Sequence, residues 1–153
     1  MSLGKTKLKN YNGFLIEILF VKLQLQHQMT GFTNILQILV GVSILVVWLV
    51  RSHVRTNFRV GNALTLKEEV SEVGLPDWFY DIIKIIKPIF AFFLLIGLIY
   101  SPLTLPCMIF TTIFMIGAVW MHIKAKDNFF KIIPALTLLV FCFIILLSRL
   151  FGN

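Results

Sequence analysis

What this sequence has least of is charge. Only 14% of its 153 residues are Asp, Glu, Lys or Arg, and just 7 are carboxylates. Soluble domains carry about a quarter of their residues charged, so a fold surrounded by water is excluded; a mean hydropathy of +0.90 points the same way. Its 2 cysteines, Cys107 and Cys142, lie in apolar runs with no C-x-x-C spacing. That excludes a thiol–disulfide exchange motif and leaves them as small buried packing groups. A Gly-rich phosphate loop, a nucleophile elbow, a zinc-protease His pair and the polar–apolar alternation of a membrane β-barrel are all missing. No intrinsic catalytic set is therefore visible, which argues against an enzyme working on its own.

Long apolar runs, by contrast, are abundant. A helix needs about 20 mostly apolar residues to cross about 30 Å of hydrocarbon, and residues 32–50, 78–100, 103–123 and 132–150 qualify. Backbone groups in lipid must be satisfied within the segment, so the expected fold is an all-α membrane protein, a four-transmembrane-helix bundle. Only Ser101 and Pro102 separate the second and third runs, which makes these two an antiparallel hairpin. The connection 51–77 differs in kind. Thr65 and Glu68 form a T-x-x-E capping box, and Gly74 and Pro76 are stop signals. They predict a short amphipathic helix over 66–73, between helices 1 and 2. Leu66, Val70 and Val73 share one face and Lys67, Glu68, Glu69 and Glu72 are exposed, so it lies on the membrane surface or over the bundle end.

The formal charge of +7 is spread between the apolar runs rather than gathered in one patch interleaved with aromatics. Positive-inside topology accounts for it and a nucleic-acid partner does not. Arg51, Arg55, Arg59 and Lys67 lie in the first connection and Lys124, Lys126 and Lys131 in the third; the opposite side has an uncharged Ser-Pro turn and Arg149. Both charged connections are thus expected in the cytoplasm and both termini outside. With no credible transit peptide or cleavable signal, a bacterial inner membrane is the default. Residues 1–30 form an extension that complicates this, because Lys5, Lys7, Lys9 and Lys22 pull it inward and Glu17 and Lys22 interrupt its apolar stretch. An interfacial helix is favoured, against a disordered tail or a true start at Met29.

The stretches "RVGNALTLKEEVSEVGLPDWF", "IIKP" and "GAVWMHIKAKDNFFKIIPALTLLV" carry a Gly-Leu-Pro approach to the second helix, a G-A-x-x-x-H end to the third and a proline opening the fourth. In their order and spacing they resemble the DoxX-like family of small four-helix membrane proteins, over residues 31–153. The resemblance implies a membrane partner of oxidoreductases: one namesake is a subunit of a thiosulfate:quinone oxidoreductase, others are linked to thiol or oxidative-stress systems, and an animal relative acts in receptor assembly. Lys87, His122 and Pro134 match the family pattern best. An accessory subunit of a larger membrane complex, redox or quinone-linked, is the function this implies. A stand-alone quinone- or lipid-binding protein and an assembly factor are the alternatives.

The candidate ligand site is a layer of five residues, Asp81, Lys84, Lys87, Trp120 and His122. Lys84 lies roughly 9 Å along its helix from Trp78, and Lys87 roughly 13 Å. Lys84 is shallow enough to snorkel and to meet Asp81 at i,i+3; Lys87 is deeper and precedes Pro88, which frees the Lys84 carbonyl. His122 returns to the same level on the antiparallel third helix. Such a layer can hold a quinone carbonyl or an anionic head group, or pass protons. Its rival is that these groups merely mark the membrane boundary, with Trp78, Tyr80 and Trp120 as an aromatic belt. Bis-histidine haem is disfavoured because His53 lies beyond Arg51 in the connection, and structural zinc lacks clustered Cys and His. Gly41, Ser43, Gly97, Gly117 and Ala118 are expected to allow close helix approach. Phenylalanines such as Phe92, Phe93, Phe110 and Phe143 are numerous enough that several must face lipid or a partner.

Overall fold

The structure, a computed structural model, describes residues 3–151, with side chains from residue 16 onward. Among these residues it is all-helical: α1 (Leu3–Leu45), α2 (Leu66–Glu72), α3 (Asp77–Ile96), α4 (Thr104–Lys124) and α5 (Phe129–Phe151). α1 runs directly into a π turn, Val46–Val50, where the Arg51 N–H reaches back to the Val46 carbonyl at 2.9 Å. The four long helices form a ring in chain order: α1 packs on α3, α3 on α4, α4 on α5, and α5 closes back on α1. Short α2 sits against α3.

Three stretches among the described residues are long and apolar enough to cross a membrane: Ile16–Val50, Ser101–Lys124 and Phe129–Phe151. α3 occupies the position of the second expected span, but its 20 residues include Asp77, Asp81, Lys84 and Lys87. It also ends sooner than the apolar run suggests. Gly97 caps it, and the chain reaches α4 through a 3₁₀ turn, Ser101–Leu103, so the connection is longer than the Ser-Pro pair alone. Thr104 ties this corner by donating from Oγ1 to the Gly97 carbonyl at 2.9 Å, and a Cβ on Gly97 would stand 2.6 Å from that Oγ1.

Val40, Leu94, Met108, Cys142 and Ile145 fill the centre of the ring. A Cβ on Gly41 would fall 2.7 Å from Leu95 Cδ2, so this glycine does set the close approach of α1 to α3. Gly117 has nothing within 4 Å of its would-be Cβ and serves no such approach. Away from α2 the ring is tied by buried polar groups. Gln37 donates to the Leu94 carbonyl at 2.7 Å, and Arg149 donates to Asn34 Oδ1 at 2.9 Å and to Gln37 Oε1 at 3.4 Å. Interhelical bonds of this kind hold helices in lipid, where apolar surface alone gives little preference for a neighbour.

The extension ahead of the first span is, from Leu3, part of the same unbroken helix. Glu17 and Lys22 lower its hydropathy but not its helix propensity, and the segment contains no proline. Residues 16–32 are all exposed.

Candidate functional site

The site lies at the end of the ring where the connection between α1 and α3 folds back as a lid. α2 forms within it because Thr65 Oγ1 accepts from the Glu68 N–H at 3.3 Å, while the Glu68 carboxylate accepts from the Leu64 N–H at 2.7 Å. That is the expected capping box, with the return bond one residue earlier than its usual form. Gly74, at φ 74°, reverses the chain after α2, a conformation glycine adopts without steric penalty. Leu66, Val70 and Val73 are buried beneath α2 as the pattern requires.

Glu69 departs from that pattern. Expected on the outer face, its side chain is only 13% exposed and pairs with Arg59 Nη1 at 3.2 Å. It follows Leu66 by three residues and so shares the inward stripe. Arg59 is itself buried and gathers the lid around it, donating to the carbonyls of Arg51 and Val54. Burial pushes the Glu69 carboxyl above its ordinary pKa, an effect the Arg59 charge opposes.

A second fastening comes from the turn between α4 and α5. Asp127, its side chain 4% exposed, faces His122 Nδ1 at 2.8 Å and Lys131 Nζ at 3.4 Å. It also accepts the Gly61 N–H of the lid, 3.1 Å from each carboxylate oxygen. Lys131 donates to the Gly61 carbonyl, and Lys124 donates to the Val73 carbonyl at 2.6 Å. Burial alone would raise the Asp127 pKa. The His122 bond, the Gly61 N–H and the Lys131 charge together outweigh it and hold the carboxyl below the usual range.

Under the lid, all four long helices enclose a cavity of about 230 Å³. Its walls are mainly apolar, including Ile44, Trp48, Val70, Ile83, Met115 and Leu138, and Lys87, His122, Arg59, Glu69 and Lys131 also reach it. The π turn brings Trp48 inward, stacked on Tyr80 with ring centroids 6.4 Å apart. Lys87 is 8% exposed, with Nζ 4.7 Å from the Trp48 centroid and 5.8 Å from that of Phe114. Among the described residues its ammonium makes neither a hydrogen bond nor an ion pair.

The five residues singled out from the sequence divide into two groups. Lys87 and His122 line the same cavity from α3 and α4. Asp81, Lys84 and Trp120 are exposed on the outside. Lys84 lies over the Tyr80 ring at 5.9 Å rather than in an ion pair with Asp81, and Lys124 lies over Trp120 at 5.0 Å. Tyr80, expected in the aromatic belt, is buried. His53 is exposed in the lid and does not line the cavity. Trp48, Arg59, Glu69, Asp127 and Lys131 were not apparent from the sequence. The signal that could have found Asp127 is an aspartate in a tight turn five residues after a histidine. An imidazole and a bare ammonium facing one apolar chamber are suited to receiving an oxygen-bearing head group.

The family model described as the DoxX-like family matches residues 35–145, which include every residue of the cavity wall. No curated protein and no solved structure matches the chain.

Proposed function

The chain belongs to the DoxX-like family, and on that footing we propose that it is a four-span membrane protein whose lidded cavity holds the head of a membrane-dissolved ligand. In this reading it serves as an accessory subunit or partner of a larger membrane complex, redox or quinone-linked. α3 is the remaining span, second in chain order. It sits between α1 and α4 in the ring, and its 20 residues reach about 30 Å. Its charges suit that position, with Asp81 and Lys84 in the first turns, where side chains can snorkel, and Lys87 turned into the cavity. The lid and the α4–α5 turn lie on the cytoplasmic side of a bacterial inner membrane, with both termini outside, by the distribution of Lys and Arg.

The observation that carries the ligand reading is Lys87. A buried, unpaired ammonium is expensive in an apolar surrounding and marks a functional site when it occurs in a membrane helix. A quinone carbonyl or an anionic lipid head would each accept a hydrogen bond from it, with His122 alongside. The partner reading is favoured by residues 16–32, which are exposed ahead of the segment that packs in the ring and carry apolar side chains that include Ile16, Leu19, Phe20 and Leu23.

The test is purification in mild detergent, with identification of the proteins and small molecules that come along. Lys87→Met should lose the small molecule and keep the protein partners. Unchanged ligand content in that variant sinks the cavity reading, and a lone chain that turns over a substrate sinks the accessory reading. A partner captured only during biogenesis, and absent at steady state, would identify an assembly factor instead.

A further inference from the structure

Given that the cavity is a ligand site, the charges around it restrict the kind of head it accepts. The groups that face it or brace its walls are Arg51, Arg59, Lys87 and Lys131 on the positive side, Glu69 and Asp127 on the negative, and His122. Glu69 is taken by Arg59 at 3.2 Å, and Asp127 is taken by His122, Lys131 and the Gly61 N–H. Arg51 is exposed at the rim, where water screens it. Each carboxylate thus has its own hydrogen-bonded cation, and among the described residues Lys87 is the buried cation left without one, although the charge of Glu69 also acts on it from across the cavity. The faces of Trp48 and Phe114 offset only part of the cost of removing an ammonium from water. A neutral carbonyl would accept one hydrogen bond from it and leave the charge uncompensated. A single negative charge would supply both.

Size and access narrow the ligand further. At about 230 Å³ the chamber is smaller than the roughly 300–1,000 Å³ of sites that enclose drug-sized molecules. It has room for a head and a few carbons, not for a long chain. The wall residues that are also exposed are Arg51 after the π turn, Phe58 in the lid and Pro134 in α5. The mouth therefore lies between the π-turn end of α1 and the start of α5. These two helices are tied together at the opposite end of the ring, through Arg149 with Asn34 and Gln37. Above the cavity the lid is fastened by Arg59, Asp127 and Lys124. The open side lies between two helices that are long and apolar enough to cross the membrane.

We propose that the cavity takes a monoanionic amphiphile from the bilayer, entering sideways between the π-turn end of α1 and α5, with its head against Lys87 and its apolar tail leaving past Pro134. A free fatty carboxylate and an anionic phospholipid share this chemistry.

Trp48 provides the probe. With Trp78→Phe and Trp120→Phe it is the sole tryptophan of the original 3, and its emission can be quenched by brominated ligands added to the micelle-bound chain. The ligands are a brominated fatty carboxylate, the alcohol of the same chain, brominated phosphatidylglycerol and phosphatidylcholine, and a short-chain benzoquinone. The expected result is half-quenching by the carboxylate at roughly tenfold lower concentration than by the alcohol, a preference that corresponds to one lost charge contact. Lys87→Met should abolish this preference and Lys87→Arg should keep it. Preference for phosphatidylglycerol over phosphatidylcholine, without a response to the free carboxylate, would identify the phospholipid as the source. Equal quenching by acid and alcohol, or tighter quenching by the quinone, overturns the anion while leaving the cavity as a ligand site. No quenching by any of them overturns the ligand site as well. The acid–alcohol comparison needs no change at Lys87, so it stands even if Lys87→Met fails to fold.

Discussion

Replacing Asp127 with Asn tests whether the lid is held by the charge of this carboxylate. Asp127 is 4% exposed and receives the Gly61 N–H at 3.1 Å and His122 at 2.8 Å, with Lys131 at 3.4 Å. Asparagine keeps the size and one acceptor but turns an amide donor toward one of these donors. A hydrogen bond to a charged group contributes about 1.5–3 kcal/mol and a neutral one about 0.5–1.5. Weakening two bonds, with a small term for the half-exposed Lys131, gives a loss of about 2–3 kcal/mol. At about 2–4 °C per kcal/mol for a chain of this length, Tm should fall by about 5–10 °C. Cys107 and Cys142, 4% and 0% exposed, are natural reporters: a thiol-reactive fluorophore labels them only as the bundle opens. Because the Asp127 pKa is depressed in the folded state, its contribution is complete above the ordinary carboxylate value of about 3.9 and is lost as pH falls through the depressed value. The part of the difference between wild type and Asp127→Asn that comes from the Asp127 charge should therefore vanish in acid. An unchanged Tm, together with unchanged hydrogen exchange at the Gly61 amide, would refute the reasoning.

Gly97→Ala should destabilise the bundle by about 1–3 kcal/mol, since its Cβ meets Thr104 Oγ1 and the Leu94 carbonyl. Gly117→Ala, with open space around it, should be neutral or stabilise by up to about 1 kcal/mol; equal effects at the two positions in the same thermal assay would contradict both. Arg59→Met leaves buried Glu69 without its hydrogen-bonded cation and should cost about 3–5 kcal/mol, recovered in large part by adding Glu69→Met. Limited proteolysis within residues 51–65 reads this out, and a double variant as labile as the single one would count against the pair as the lid's fastening. Gln37→Ala should cost about 0.6–1.7 kcal/mol and show coupling to Arg149→Met in a double-mutant cycle.

Much of the architecture could be read from the chain because lipid imposes a simple rule on it. Runs near 20 apolar residues predicted the helices, and Thr65, Glu68 and Gly74 placed α2 almost to the residue. Helix arithmetic also brought Lys87 and His122 to one level, where the structure has them lining one cavity. Depth along a helix follows from residue number, but which side chains face inward depends on how the helix is rotated against its neighbours. The same arithmetic gave no reason to separate Lys84 and Trp120, which face outward, from Lys87, or to turn Tyr80 inward. Glu69 was hidden among the other charges of α2, and its inward orientation is explained only by Arg59, ten residues away across an irregular loop. Gly41 and Gly117 look alike in sequence, and only the neighbouring helix distinguishes them.

In the proposed reading, one ligand sits in the lidded cavity and is held there by Lys87. Native mass spectrometry of the chain released from mild detergent micelles tests it most directly, with Lys84→Met as the outward-facing control. The account predicts one bound molecule per chain on the wild type, retained in Lys84→Met and lost in Lys87→Met. Several lipids bound per chain, or an adduct equally present on both variants, would contradict it.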